Sequence, residues 1–157
     1  MKAHVGVDAQ SGLVHTVRGT SGNVNDVVEG NALLHGEETE VFADAGYQGA
    51  HKRADANSSV RWNIAMRPGK RVALDKTKPV NQLIDQLERL KASIRAKVEH
   101  PFGVIKRQLG HVKVRYRGLN KNTAQLSTLF ALSNLWMVRK TLQALDGQIP
   151  AQPAKAA

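Results

Sequence analysis

The sequence contains no cysteine. That excludes disulfides and cysteine-ligated zinc, and it suits a reducing, cytoplasmic compartment. Aromatic residues are few: two Trp, two Tyr and three Phe among 157 residues. No apolar run approaches the roughly 18–20 residues that span a bilayer. The opening "MKAHVGVDAQ" lacks the apolar stretch of a signal peptide. Neither a membrane partner nor a secreted disulfide scaffold is therefore expected. Acids are scarce in the second half, where residues 81–157 carry 13 Lys/Arg against 4 Asp/Glu.

What is present follows from that imbalance. The net charge is +10, and residues 1–80 contribute almost none of it, with 10 Lys/Arg against 9 Asp/Glu. Between Arg89 and Arg117 stand nine cations and one acid, Glu99. A solvated helix usually mixes both signs, so this field points to a polyanion, most simply nucleic acid. The apolar share of 41% is enough for one core, and the length suits one domain. We place that domain at 1–145 and read "DGQIPAQPAKAA", 146–157, as a disordered tail.

The patterning alternates first and turns helical later. "AHVGVD" and "LVHTVR" alternate around "AQSG" and predict a β-hairpin. Asn25 or Asp26 is placed to cap a helix reaching about Leu34. "EVFADAGYQG" reads as a buried strand ending at Asp44, "HKRADAN" as a short helix, and "VRWNIAM" as a strand stopped by Pro68-Gly69. A basic irregular linker, 70–79, precedes a helix in which Leu83, Leu87, Leu90, Ile94, Val98 and Phe102 recur at 3–4 residue spacing. Pro101 predicts a kink or a boundary just before it. "GHVKVRYRGL" reads as extended. A long helix follows, capped near Asn122 or Thr123, with Leu126, Leu129, Phe130, Leu132, Leu135 and Trp136 as its apolar face. Strands early and helices late imply an α/β layer fold.

Two acids occupy positions where chemistry is common. Asp44 closes a strand, where side chains reach clefts; it equally suits the start of a tight turn. Glu99 shares a helix face with Arg95, about 40° away, and with Lys106, about 20° away. An Arg–Glu surface pair is one reading, stabilising by a few tenths of a kcal/mol. A phosphoryl-transfer centre is the other: carboxylates hold divalent cations, and neighbouring cations hold phosphates. Asp8 enters a hairpin turn and is read as bonding that turn. His4 and His15 are read as cross-strand neighbours with a structural role. Lys2 and Lys113 can reach a phosphate, but nothing local singles them out.

The stretches "MKAHVGVDAQSGLVHTVRGTSGNVND", "VFADAGYQGA" and "SIRAKVEHPFGVIKRQLGHVKVRYRGLNKN" resemble the catalytic domain of DDE transposases of the bacterial insertion sequence five family. The resemblance covers about residues 1–143. It implies a ribonuclease-H-like fold, a mixed sheet flanked by helices. It also implies three acids that hold two Mg²⁺ or Mn²⁺ ions while DNA ends are nicked and joined. Asp44 matches the second acid and Glu99 the third, so both are expected to be catalytic and metal-binding. Arg95 and Lys106 match the signature cations, and Lys97 and Arg107 join them as expected DNA contacts. Ala92 stands where the signature has tyrosine. The family's first strand and its aspartate have no match here, and Asp8 falls on a non-catalytic position. A truncated, weakly active transposase is therefore expected, marginally stable or oligomeric, with DNA and intact transposase subunits as partners. The alternative is a non-catalytic module that binds DNA or inhibits intact transposase.

Overall fold

The computed structural model describes residues 1–146. The element order is β1 (Lys2–Val7), β2 (Val14–Thr20), α1 (Asp26–Glu29), β3 (Glu40–Ala43), β4 (Arg61–Ile64), α2 (Pro68–Val72), α3 (Pro79–Arg107) and α4 (Leu119–Asp146). Short 3₁₀ turns lie at Asn31–Leu33, Ala45–Tyr47 and Ala50–Lys52. Strands of both orientations are present, divided between two two-stranded sheets rather than joined in one. The β1–β2 pair is antiparallel and the β3–β4 pair parallel.

The hairpin is built by its turn. Asp8 accepts from the Gln10 amide at 3.0 Å and the Ser11 amide at 3.2 Å, and Gly12 takes φ +74°. A carboxylate accepting from successive amides mimics a backbone turn, which is the role expected of Asp8. Those bonds hold its carboxyl below the usual range. Alternation then sends Ala3, Val5 and Val7 to one face, where they pack on Val14, Ile105, Leu126 and Phe130. The Phe102 and Phe130 rings meet edge to face at 5.1 Å. α4 seals the exposed edge of β2 through Asn134, which exchanges two hydrogen bonds with Val14 at 2.7 and 2.9 Å. Its first turn comes close because residue 19 is glycine: a Cβ there would lie 2.0 Å from Thr123 Oγ1.

Several sequence expectations change. Helix α3 runs unbroken through Pro101, with no boundary before it. A proline in a helix interior costs about 3 kcal/mol. Pro101, Val104 and Ile105 are all buried here, and burial of Val104 and Ile105 returns about 1.5–3 kcal/mol each, which offsets the proline. The segment 70–79 is not wholly irregular, because Pro68 opens α2 as an N-terminal helical residue instead of stopping the chain. "HKRADAN" forms only a 3₁₀ turn, and "GHVKVRYRGL" contains no strand. Asn122 lies inside α4; its amide bonds Tyr116 and Gly118, tying down the incoming loop. The tail expected at 146–157 lies outside the described residues apart from Asp146, which ends α4.

The largest departure is the apolar stripe of α3. Leu83, Leu87 and Leu90 are exposed, whereas Asp85 and Glu88 are buried. Asp85 takes Arg71 at 2.8 Å and Arg89 at 3.0 Å. Glu88 accepts from the Met66 amide and from Lys91, both at 2.8 Å. Paired acids thus dock the first half of α3 against the end of β4, and ion pairing overrides the hydrophobic period. On α4, Leu126 and Phe130 are buried as expected, while Leu132, Leu135 and Trp136 face outward.

Candidate active site at the end of β3

Asp44 leaves β3 at its carboxyl end and caps the Ala45–Tyr47 turn, its Oδ1 accepting from the Gly46 amide at 2.8 Å. The turn reading of this residue holds. One oxygen makes the turn. The other, Oδ2, faces Arg95 Nη2 of α3 at 3.9 Å, in a side chain that is 49% exposed. Fifty residues of chain lie between Asp44 and Arg95.

A second carboxylate shares the place. A Cβ on Gly46 would lie 2.9 Å from Asp44 Oδ1 and 3.1 Å from Asp26 Oδ2. The side chain that glycine lacks is thus the space between the two acids. Asp26 lies in the first turn of α1, with Asn25 as the cap. It pairs with Lys2 at 3.1 Å and faces the buried His4 ring at 3.8 Å. Lys2 is thereby committed within the fold. Burial, with the charges of Asp26, Asp44 and Glu29, pushes the Tyr47 phenol up to about 12. Sequence reasoning assigned Asp26 only a capping role. The signal was the acid itself in a first helical turn, which the helix dipole accounts for.

Glu99 is solvent-exposed one helical turn beyond Arg95, and it has no ion pair among the described residues. Its carboxylate is therefore neither packed against the core nor neutralised. The expected DNA-binding cations separate into two groups. Lys106 and Arg107 are exposed and carry no ion pair among the described residues, as do Lys113 and Arg117 nearby. Lys97 instead donates to the Ala9 and Gln10 carbonyls of the hairpin turn. Arg89 and Lys91 are held by Asp85 and Glu88.

Asp44 and Glu99 offer oxygen donors, the kind that suits a hard divalent cation such as Mg²⁺ or Mn²⁺. With Asp26 they do not form a group of three ligands whose donor atoms lie within 4.8 Å of one another. No helix among the described residues is long and apolar enough to cross a membrane.

The family described as "Transposase DDE domain" matches residues 1–135 of the chain. No solved structure matches it.

Proposed function

The chain belongs to the transposase DDE domain family, and on that footing we propose that it serves DNA strand cleavage and transfer in the transposition of a bacterial insertion sequence. In this reading the α/β architecture is a ribonuclease-H-like domain of the insertion sequence five type. Asp44 and Glu99 would hold Mg²⁺ or Mn²⁺. Such a cation, when bound, offsets charge that develops on a phosphate under attack.

The chain's own residues do the remaining work. Asp44 is kept in place by the Gly46 amide and presents its second oxygen outward. Arg95, at 3.9 Å from that oxygen, leaves donors free for a phosphate beside it. Lys106 and Arg107 extend the grip along the exposed side of α3. Lys97, occupied by the hairpin carbonyls, takes the smallest share of DNA contact. The observation that carries the reading is the approach of Arg95 to Asp44, which brings the basic helix over the strand end. Two acids hold two cations poorly, so cleavage by this chain alone is weak or absent.

A second reading has its own support. Leu83, Leu87 and Leu90 stand exposed on one stripe of α3, a surface suited to an intact transposase subunit. The chain would then bind DNA and that subunit without cutting. Nicking of supercoiled DNA with Mn²⁺ separates the two. Trace nicking that Glu99→Gln abolishes supports the enzyme. Salt-sensitive binding without nicking supports the module, and failure to bind DNA at all overturns both.

A further inference from the structure

Away from Asp44, strand β2 and the loop before β3 bring two histidines and a glutamate together. One donor atom from each of His15, His35 and Glu38 lies within 4.8 Å of the others, and among the described residues no other group of three such side chains is as close. The His15 and His35 rings meet edge to face, with centroids 4.8 Å apart. His35 Nε2 stands 3.4 Å from Glu38 Oε1. Two ligands of a tetrahedral Zn²⁺, bound at about 2.0–2.1 Å, are themselves roughly 3.4 Å apart. That edge of a coordination tetrahedron is already in place.

Three features of the backbone produce this arrangement. First, His15 is the extra residue of a β-bulge. Gly6 pairs with Thr16 and Val7 with Val14, which leaves His15 unpaired between them. A bulge re-aims the side chain it frees. Second, residue 6 is glycine. A Cβ there would lie 2.5 Å from His15 Cε1 and 2.9 Å from its Nε2, so a side chain at residue 6 would displace the ring from this position. Third, Glu38 is fixed by the amides of His35 at 2.7 Å and Gly36 at 2.8 Å, and Gly36 takes φ +103° to present them.

The outer contacts also suit ligation. His15 Nδ1 is bonded to Thr16 Oγ1 at 2.9 Å, which leaves Nε2 for a cation. The Glu38 side chain is only 14% exposed, while that of His35 is 47% exposed and gives access from solvent.

We propose that His15, His35 and Glu38 form a binding site for one divalent cation of the Zn²⁺ class, which clasps the 31–38 loop to the β1–β2 hairpin. Two imidazoles and a carboxylate, with a fourth position open to water, suit Zn²⁺ or Co²⁺ over Mg²⁺. The site is separate from the acids at the end of β3 and does not depend on the function proposed above.

The test uses the full chain, stripped of metal with a chelator. Zn²⁺ is expected to raise the melting temperature saturably, and Co²⁺ to give the visible absorption of a four-coordinate complex. His35→Asn should remove both signals. Thr16→Val, which keeps all three ligands, should weaken Zn²⁺ by about 10–100-fold. Asp44→Asn should leave both signals intact, and Mg²⁺ should produce neither through these residues. A Zn²⁺ shift unchanged in His35→Asn, one abolished by Asp44→Asn, or a Co²⁺ spectrum no different from the aqueous ion would overturn the assignment.

Discussion

Arg95 Nη2 lies 3.9 Å from Asp44 Oδ2, joining the middle of α3 to the end of β3. That separation is too long for a hydrogen bond. With both side chains partly exposed, the pair stabilises the fold by at most about 1 kcal/mol. The guanidinium is therefore available to a phosphate. Arg95→Ala should change the melting temperature little. It should weaken duplex DNA binding and lower the slope of log K against log salt by about 1. Loss of stability with an unchanged slope would make Arg95 a structural residue.

The exposed cations should separate from the committed one. Lys106→Ala and Arg107→Ala should each lower the salt slope by about 1 while sparing stability. Lys97→Ala should affect the slope less and speed amide exchange between Gln10 and Gly12, because Lys97 clasps the hairpin turn. Fluorescence anisotropy across a salt series and hydrogen exchange read the two effects. Equal slopes for all three variants would contradict the division.

Tyr47 reports on the acids around it. Its phenol sits at about 12 in the folded chain, against about 10 when unfolded. The folded state keeps the proton longer, so stability should fall as pH rises from about 10 towards 12. Spectrophotometric titration of a Tyr116→Phe chain isolates the signal. Ionisation near 12 is expected, lowered more by Asp26→Asn than by Asp44→Asn. Ionisation near 10 would show that the ring is neither buried nor set among carboxylates.

Glu88 anchors the first half of α3. Burial raises its carboxyl, but Lys91 and the Met66 amide outweigh that and hold it below the usual range. Its contribution is therefore present above pH about 4.5 and lost as pH falls through the lower folded value. Glu88→Ala leaves the part-buried Met66 amide without its acceptor and should cost about 1 kcal/mol in urea unfolding at neutral pH. The difference from wild type should shrink in acid. A neutral effect at pH 7 would mean that the exposed leucines, not the buried acids, hold this helix.

The hairpin, β3, β4 and the two long helices were legible because alternation, turn chemistry and helical spacing agree there. Asp44 was legible as a strand-end acid, and Glu99 as the lone acid of a basic field. Three things were not. The continuity of α3 through Pro101 depends on what α4 packs against it. The outward turn of Leu83, Leu87 and Leu90 depends on Arg71 and Met66, partners outside the helix. The meeting of His15 with His35 and Glu38 depends on a bulge and on the space left by Gly6. Each is a tertiary contact, and local periodicity carries no trace of it.

The acids at Asp44 and Glu99 are tested most directly by paramagnetic broadening of amide signals when Mn²⁺ is added with duplex DNA. Amides around Gly46 and around His100 should broaden together, and either Asp44→Asn or Glu99→Gln should abolish both. Broadening confined to one of the two regions, or unchanged by Glu99→Gln, would show that the two carboxylates do not share a cation.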